Sequence, residues 1–123
     1  MTASRKVSAF DQDAALSRLG GDFELFDELI EMFCESADDQ IGEIETSIRE
    51  GDADQLRQTA HALSGSLALF AAGPALETAR RLEHMGRDGE LLDTDLHLGR
   101  LNGELAELLE QLRIDRESRQ QAA

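Results

Sequence analysis

Apolar residues recur along this chain at steps of three and four, the spacing of one helix face, and four long stretches carry the pattern. The longest holds Phe26, Ile30, Phe33, Ala37, Ile41, Ile44 and Ile48, a single stripe over about seven turns that only the helix-weakening Gly42 interrupts. Asp22 stands in N-cap position before it, and the Glu50-Gly51-Asp52 turn ends it. A second stretch opens at Asp52, with Gln55 in capping-box position, and carries Leu56, Ala60, Leu63, Leu67 and Phe70. The segment "AAGPAL" breaks that helix, and Pro74 fits the first turn of the next, which carries Leu76, Ala79 and Leu82 until "GRDGE" ends it. The last stripe is Leu98, Leu101, Leu105, Leu108 and Leu112. Upstream of all four, Asp11 caps a short helix closed by Gly20-Gly21.

Each long helix has one sticky face, and no alternating stretch competes as a strand. The pattern therefore predicts an all-α domain over residues 10–114: an antiparallel four-helix bundle with an additional short N-terminal helix. Residues 1–9 are expected to be a flexible N-terminus. After Ile114 the tail "DRESRQQAA" has no apolar stripe and is expected to fray over 115–123. Composition agrees with helices packed on helices: five Phe, neither Trp nor Tyr, and one Pro.

Charge narrows the partners. Twelve basic against 26 acidic residues leave a net −14, which repels nucleic acid and anionic membrane surfaces at long range. The lone Cys34 cannot form an internal disulfide, and its place in the long stripe predicts buried filler. The start "MTASRKVSAF" lacks the apolar core of a signal peptide and no run approaches a membrane span, so a soluble, cytoplasmic protein is expected, either free-standing or cut from a larger sensor kinase. In "DTDLHLGRLNGE" acids occupy positions 1, 3 and 12 of a calcium loop, but Leu98 stands where glycine is required. His84 and His97 fit no metal-ligand spacing, and no Ser-His-Asp order or glycine-rich phosphate loop is present. No metal site and no autonomous enzymatic active site are expected.

The chemistry concentrates in "RQTAHALSGSLALF". At about 100° per residue the apolar residues of this helix span an arc of about 80°, and His61 lies about 150° from its centre, facing water. On the same outer side lie Gln58, Ala62, Gly65 and Ala68, with Arg57 and Ser64 toward one flank. An ordinary solvated face would carry Glu, Lys and Arg. Here the position one turn after the histidine is glycine, at a cost of about 1 kcal/mol against alanine. The cleared surface lets another protein's backbone approach the imidazole. The residues alone leave two readings of His61, an ordinary surface histidine or a docking site.

A His followed by Leu63 two later, Gly65 four later and the small Ser66 five later, then Leu82-Glu83 about twenty residues on, resembles the histidine-containing phosphotransfer (HPt) domain family. The entry "LSRLGGDFELFDELIEMF" is similar to that family's opening helices, and the resemblance covers roughly residues 10–114. It implies a phosphocarrier of a two-component relay. His61 would take a phosphoryl group from a receiver-domain phospho-aspartate and pass it to another receiver. Neutral imidazole is a good nucleophile near pH 7, and phosphoryl transfer asks mainly for in-line access and charge neutralisation. The resemblance implies that Glu83 hydrogen-bonds the ring nitrogen that is not phosphorylated, leaving Nε2 as nucleophile. Mg2+ would sit on the receiver alone, with no cofactor on this chain. The implied partners are response-regulator receivers and a hybrid sensor kinase, met by a monomer through Gln58, Ala62, Ala68 and Leu69.

Two positions depart from the family. Ser64 stands where the family usually has Lys, so a neutral hydroxyl replaces a cation beside the phosphoryl oxygens. Arg57, one turn before His61, is the expected substitute, with Arg80 or Arg81 on the next helix a weaker one. The loop glycine often found ten residues after the histidine is Ala71. The alternative function is an adaptor of the same fold that docks receivers without carrying phosphate.

Overall fold

The structure, a computed structural model, describes residues 8–122. It contains five helices: α1 (Gln12–Arg18), α2 (Phe23–Glu50), α3 (Ala53–Leu69), α4 (Gly73–Asp88) and α5 (Thr94–Ala122). Helix α2 packs on α3, α3 on α4, α4 on α5, and α5 returns to α2, so the four long helices close a ring around one core. Short connections turn the chain back at each corner, which makes successive helices antiparallel neighbours.

Local chemistry sets the ends. Asp11, Asp22 and Asp52 each accept the backbone N–H three residues on, of Ala14, Leu25 and Gln55, all at 3.1 Å. The capping box at Asp52 is only half made, because the Gln55 amide turns to the Thr59 hydroxyl (3.2 Å) while the Asp52 N–H donates to Ser47 O (2.9 Å). Gly51 (φ 67°) and Gly89 (φ 71°) close α2 and α4 in the left-handed conformation. Helix α3 closes the same way without a glycine. Ala71 takes φ 52°, with its N–H on Ala68 O and the N–H of Ala72 on Leu67 O, both 3.0 Å. The left-handed turn is thus made by an alanine that bears the strain of its Cβ.

At one end of the core Phe26 contacts Phe10 and Phe70, and Phe33 contacts Phe70, with centroids 5.3–6.4 Å apart. Below them Ile30, Ile44, Leu56, Leu63, Leu67, Leu82, Leu101, Leu108 and Leu112 are buried, each stabilising the fold by about 1.5–3 kcal/mol relative to exposure. The α3–α4 pair is the most intimate because its seam is made of small residues: Ala60, Ala75, Ala79 and Gly86 are all buried. A Cβ at Gly86 would lie 2.7 Å from both Ala53 O and Arg57 N, so only glycine fits there. The helix expected to end at "GRDGE" passes through this glycine and stops at the second one.

Three further expectations are corrected. Residues 115–122 do not fray, since α5 continues through Ala122. The Arg119 guanidinium lies over the Phe23 and Phe26 rings (5.0 and 5.2 Å) and pairs with Asp27 and Asp115, while Arg116 reaches Glu31 at 3.2 Å. Burial alone would depress the Arg119 pKa, yet its hydrogen bonds to Asp27 and Asp115 outweigh that and raise it. Cys34 is exposed rather than buried. It sits about 60° off the centre of the α2 stripe, on the edge that faces the polar end of α5. Partial desolvation still pushes its thiol pKa up, with Arg116 and Arg113 pulling the other way. Of the stretch expected to be flexible, 1–7 lie outside the described residues, whereas Ala9 is buried and its N–H donates to Gln111 (3.1 Å).

Candidate functional site

The small-residue seam sets what stands opposite α3. With the two backbones so close, one turn of α4 places Glu83 beside His61, and the ring Nδ1 is 2.9 Å from Glu83 Oε2. An ionised carboxylate only accepts, so Nδ1–H is the donor and the lone pair of the neutral ring lies on Nε2. The His61 side chain is 74% exposed and that of Glu83 23%, so the reactive edge meets solvent while its anchor is sheltered.

Around the ring is an open recess of about 310 Å3 lined by His61, Ser64, Gly65, Ala68, Arg80, Glu83 and His84. Gly65 is exposed, and a Cβ built on it meets no atom within 4 Å. No neighbouring helix needs that glycine. Ala62 is exposed as well, as is Gln58, whose amide donates to Asp54 (2.8 Å). Ala68 and Leu69 are half-buried, and the Ala68 carbonyl accepts from the Arg18 guanidinium of α1.

Two residues are not where the helical wheel put them. Ser64 is 6% exposed, because α4 lies over its flank, and its Oγ has no hydrogen-bond partner among the described residues. Arg57 does not line the recess. Its guanidinium pairs with Asp54 at 3.0 Å, and its backbone is the surface on which Gly86 packs. The cation that does line the recess is Arg80, on α4. Arg80 and His84 stand on the wall between this recess and a neighbouring one, which they line with Glu77, Arg81, Met85, Asp88 and Glu90; Arg81 lines only the neighbouring one. The sequence carried a signal for this placement: Arg80 precedes Glu83 by three residues and so shares its helix face.

The segment expected not to bind calcium is helical from Thr94, and among the described residues no three His, Cys, Asp or Glu side chains gather as a metal-binding group. No described helix is long and apolar enough to cross a membrane.

The family model described as the Hpt domain matches residues 28–115. This chain belongs to the Hpt domain family. A solved structure, the histidine-containing phosphotransfer protein B (HptB) of Pseudomonas aeruginosa PAO1, superimposes on it with a TM-score of 0.84 at 20% identity, covering 92% of this chain and 98% of that one. A likeness at that identity bears on the fold, and both chains share the all-α bundle. A search among curated proteins gives no match. The Hpt family consists of phosphocarrier modules that serve response-regulator receivers in two-component phosphorelays. In this Hpt domain the matched segment includes His61, Glu83 and the whole α3–α4 pair that holds them.

Proposed function

We propose that this Hpt domain carries a phosphoryl group on His61 Nε2, accepting it from a receiver phospho-aspartate and delivering it to a second receiver. One observation carries the reading: of the two His61 ring nitrogens, Nδ1 is held by Glu83 and Nε2 has no partner among the described residues, on an exposed side chain above a cleared surface. In the transfer the Nε2 lone pair forms the N–P bond as the P–O bond to the aspartyl carboxylate breaks, and the carboxylate leaves with the bonding pair. No proton moves, because the proton stays on Nδ1 and continues to donate to the Glu83 carboxylate. Bond formation makes the ring formally cationic, and the Glu83 carboxylate against Nδ1 offsets that charge. The same contact holds the ring in line for the reverse step.

The receiver contributes Mg2+ and most of the electrostatic stabilisation. Its backbone approaches over Ala62, Gly65 and Ala68, with Gln58 and Leu69 at the rim, and a hybrid sensor kinase supplies the donor receiver. The carrier works as a cytoplasmic monomer without a cofactor of its own.

The test is labelling with phosphoramidate, followed by exposure to a panel of receiver domains. Acid-labile, alkali-stable label that moves to a receiver and disappears in His61→Gln is the expected result. Label that survives His61→Gln refutes the assignment. Receiver binding with no label at all establishes the adaptor instead, and label that no receiver removes refutes the relay.

A further inference from the structure

We infer that Arg80, with Ser64 lining the same recess, forms the phosphoryl-oxygen site of this domain, supplying from α4 the positive charge that Ser64 does not. The inference rests on His61 being the phosphoryl acceptor. Its first observation is placement: Arg80 lines the recess of His61, together with Ser64, Gly65 and Ala68, whereas Arg57 does not. Its second is availability. Among the described residues Arg80 has neither an ion-pair nor a hydrogen-bond partner, whereas Arg57, Arg87, Arg100, Arg113, Arg116 and Arg119 are each paired with an acid. In a chain of net charge −14 an uncommitted guanidinium beside a nucleophile stands out. The third is the Ser64 Oγ, shielded from solvent and without a partner in a residue only 6% exposed. A buried hydroxyl in that state is destabilising unless something else uses it.

The chemistry fits a tetrahedral dianion. A phosphoryl group on Nε2 presents three oxygens at the mouth of the recess. The Arg80 fork is suited to two of them, and the Ser64 hydroxyl, shielded as it stands, would meet the third by turning about χ1 toward the recess. The carboxylate of Glu83 is committed to Nδ1 on the far edge of the ring. His84, four residues after Arg80, also faces the recess, so the titratable or charged groups around the phosphoryl group are His61, Arg80, Glu83 and His84, while Glu77, Arg81, Asp88 and Glu90 share the neighbouring recess with Arg80.

The experiment uses the full chain phosphorylated with phosphoramidate and follows the phosphoryl pKa by 31P NMR titration. The variants are Arg80→Gln, Arg80→Lys, Arg57→Gln, Arg81→Gln, His84→Gln and Ser64→Ala. Removing a cation that touches the phosphoryl oxygens disfavours the dianion, so Arg80→Gln should raise the phosphoryl pKa by about half a unit or more. It should also slow uptake of the label about tenfold, the scale of a charge-assisted hydrogen bond. Arg80→Lys should restore most of the pKa, since it keeps the charge and loses only the fork. Ser64→Ala should slow uptake severalfold with a smaller pKa change. Arg81→Gln alters net charge equally and should leave both readouts at wild-type values. The proposal is overturned if Arg80→Gln titrates like wild type, or if Arg57→Gln or His84→Gln produces the larger shift. Failure of wild type to take label on His61 refutes the phosphocarrier reading itself, a result separate from any of these.

Discussion

Replacing Gly65 by glutamine should strengthen the fold while disabling the site. Glycine inside a helix is about 1 kcal/mol worse than alanine, and glutamine recovers most of that difference. The usual offset, a clash of the new Cβ, is absent here because nothing lies within 4 Å of it. The net gain is therefore about 0.5–0.8 kcal/mol, or about 2–4 °C in Tm for a chain of this size. Helical side chains lean toward the N-terminus, so the new one lies over the preceding turn, where His61 stands. It would fill the clearing and keep a receiver's backbone away from Nε2. Displacing reacting atoms by about 1 Å is enough for about a hundredfold loss, so receiver-dependent transfer should fall at least that far.

Two measurements on one preparation separate the effects: thermal unfolding by circular dichroism, and exchange of label with a receiver. Labelling by phosphoramidate, which is small enough to pass the new side chain, reports on the chemistry alone and should fall far less. Gly99→Gln is the control, since Gly99 is also exposed, mid-helix and free of neighbours, on α5 away from the recess. It should gain similar stability and leave transfer intact. A lower Tm for Gly65→Gln would show that the glycine serves internal packing. Unchanged exchange with the receiver would show that the clearing is not the docking surface. Either result refutes the reasoning.

Gly86→Ala should do the reverse of Gly65→Gln, costing about 2 kcal/mol or more, because its Cβ meets backbone atoms at 2.7 Å that cannot turn aside. Denaturant melts give the loss, and the His61–Glu83 contact should loosen with it, seen as a shifted imidazole 15N resonance. Ala71→Gly should stabilise by about 0.5–1 kcal/mol in the same melts, the relief of a Cβ at φ 52° exceeding the added freedom of the unfolded chain. Arg119→Ala should remove about 1–2 kcal/mol and let the last turns of α5 exchange amide hydrogens quickly, since those turns hold to α2 through that guanidinium. If the amides beyond Ile114 remain protected in that variant, another contact anchors them.

The elements were legible because their causes are local. An aspartate capping the N–H three residues on, or a stripe at steps of three and four, is complete within one helix: α1, α2 and α3 begin after such an aspartate and α4 with Pro74 in its first turn, whereas α5 begins at Thr94, a turn before its first stripe residue. What escaped depends on a second helix. Nothing in "DRESRQQAA" marks a stripe, because its anchor is a cation on two aromatic rings of α2 rather than apolar burial. The i,i+4 pairs Asp115–Arg119 and Arg113–Glu117 were a legible sign of helix that the missing stripe obscured. Cys34 was assigned to the core by sharing a stripe whose edge α5 leaves uncovered.

The cation shows the same limit at the site. Around a single helix, Arg57 is the natural neighbour of His61, being one turn away on the same side. That geometry treats α3 as a cylinder in water, but α4 lies against it along a seam of alanine and glycine. The seam brings Glu83 to Nδ1 and covers Ser64. It also turns Arg57 into the floor for Gly86, and the face of α4 that carries Glu83 carries Arg80 with it. Residues small enough to escape notice thus decide which charged ones meet the imidazole. A larger residue along that seam should move Glu83 and Arg80 together, so that loss of the Nδ1 contact and loss of the cation's effect on the phosphoryl group arise from one substitution.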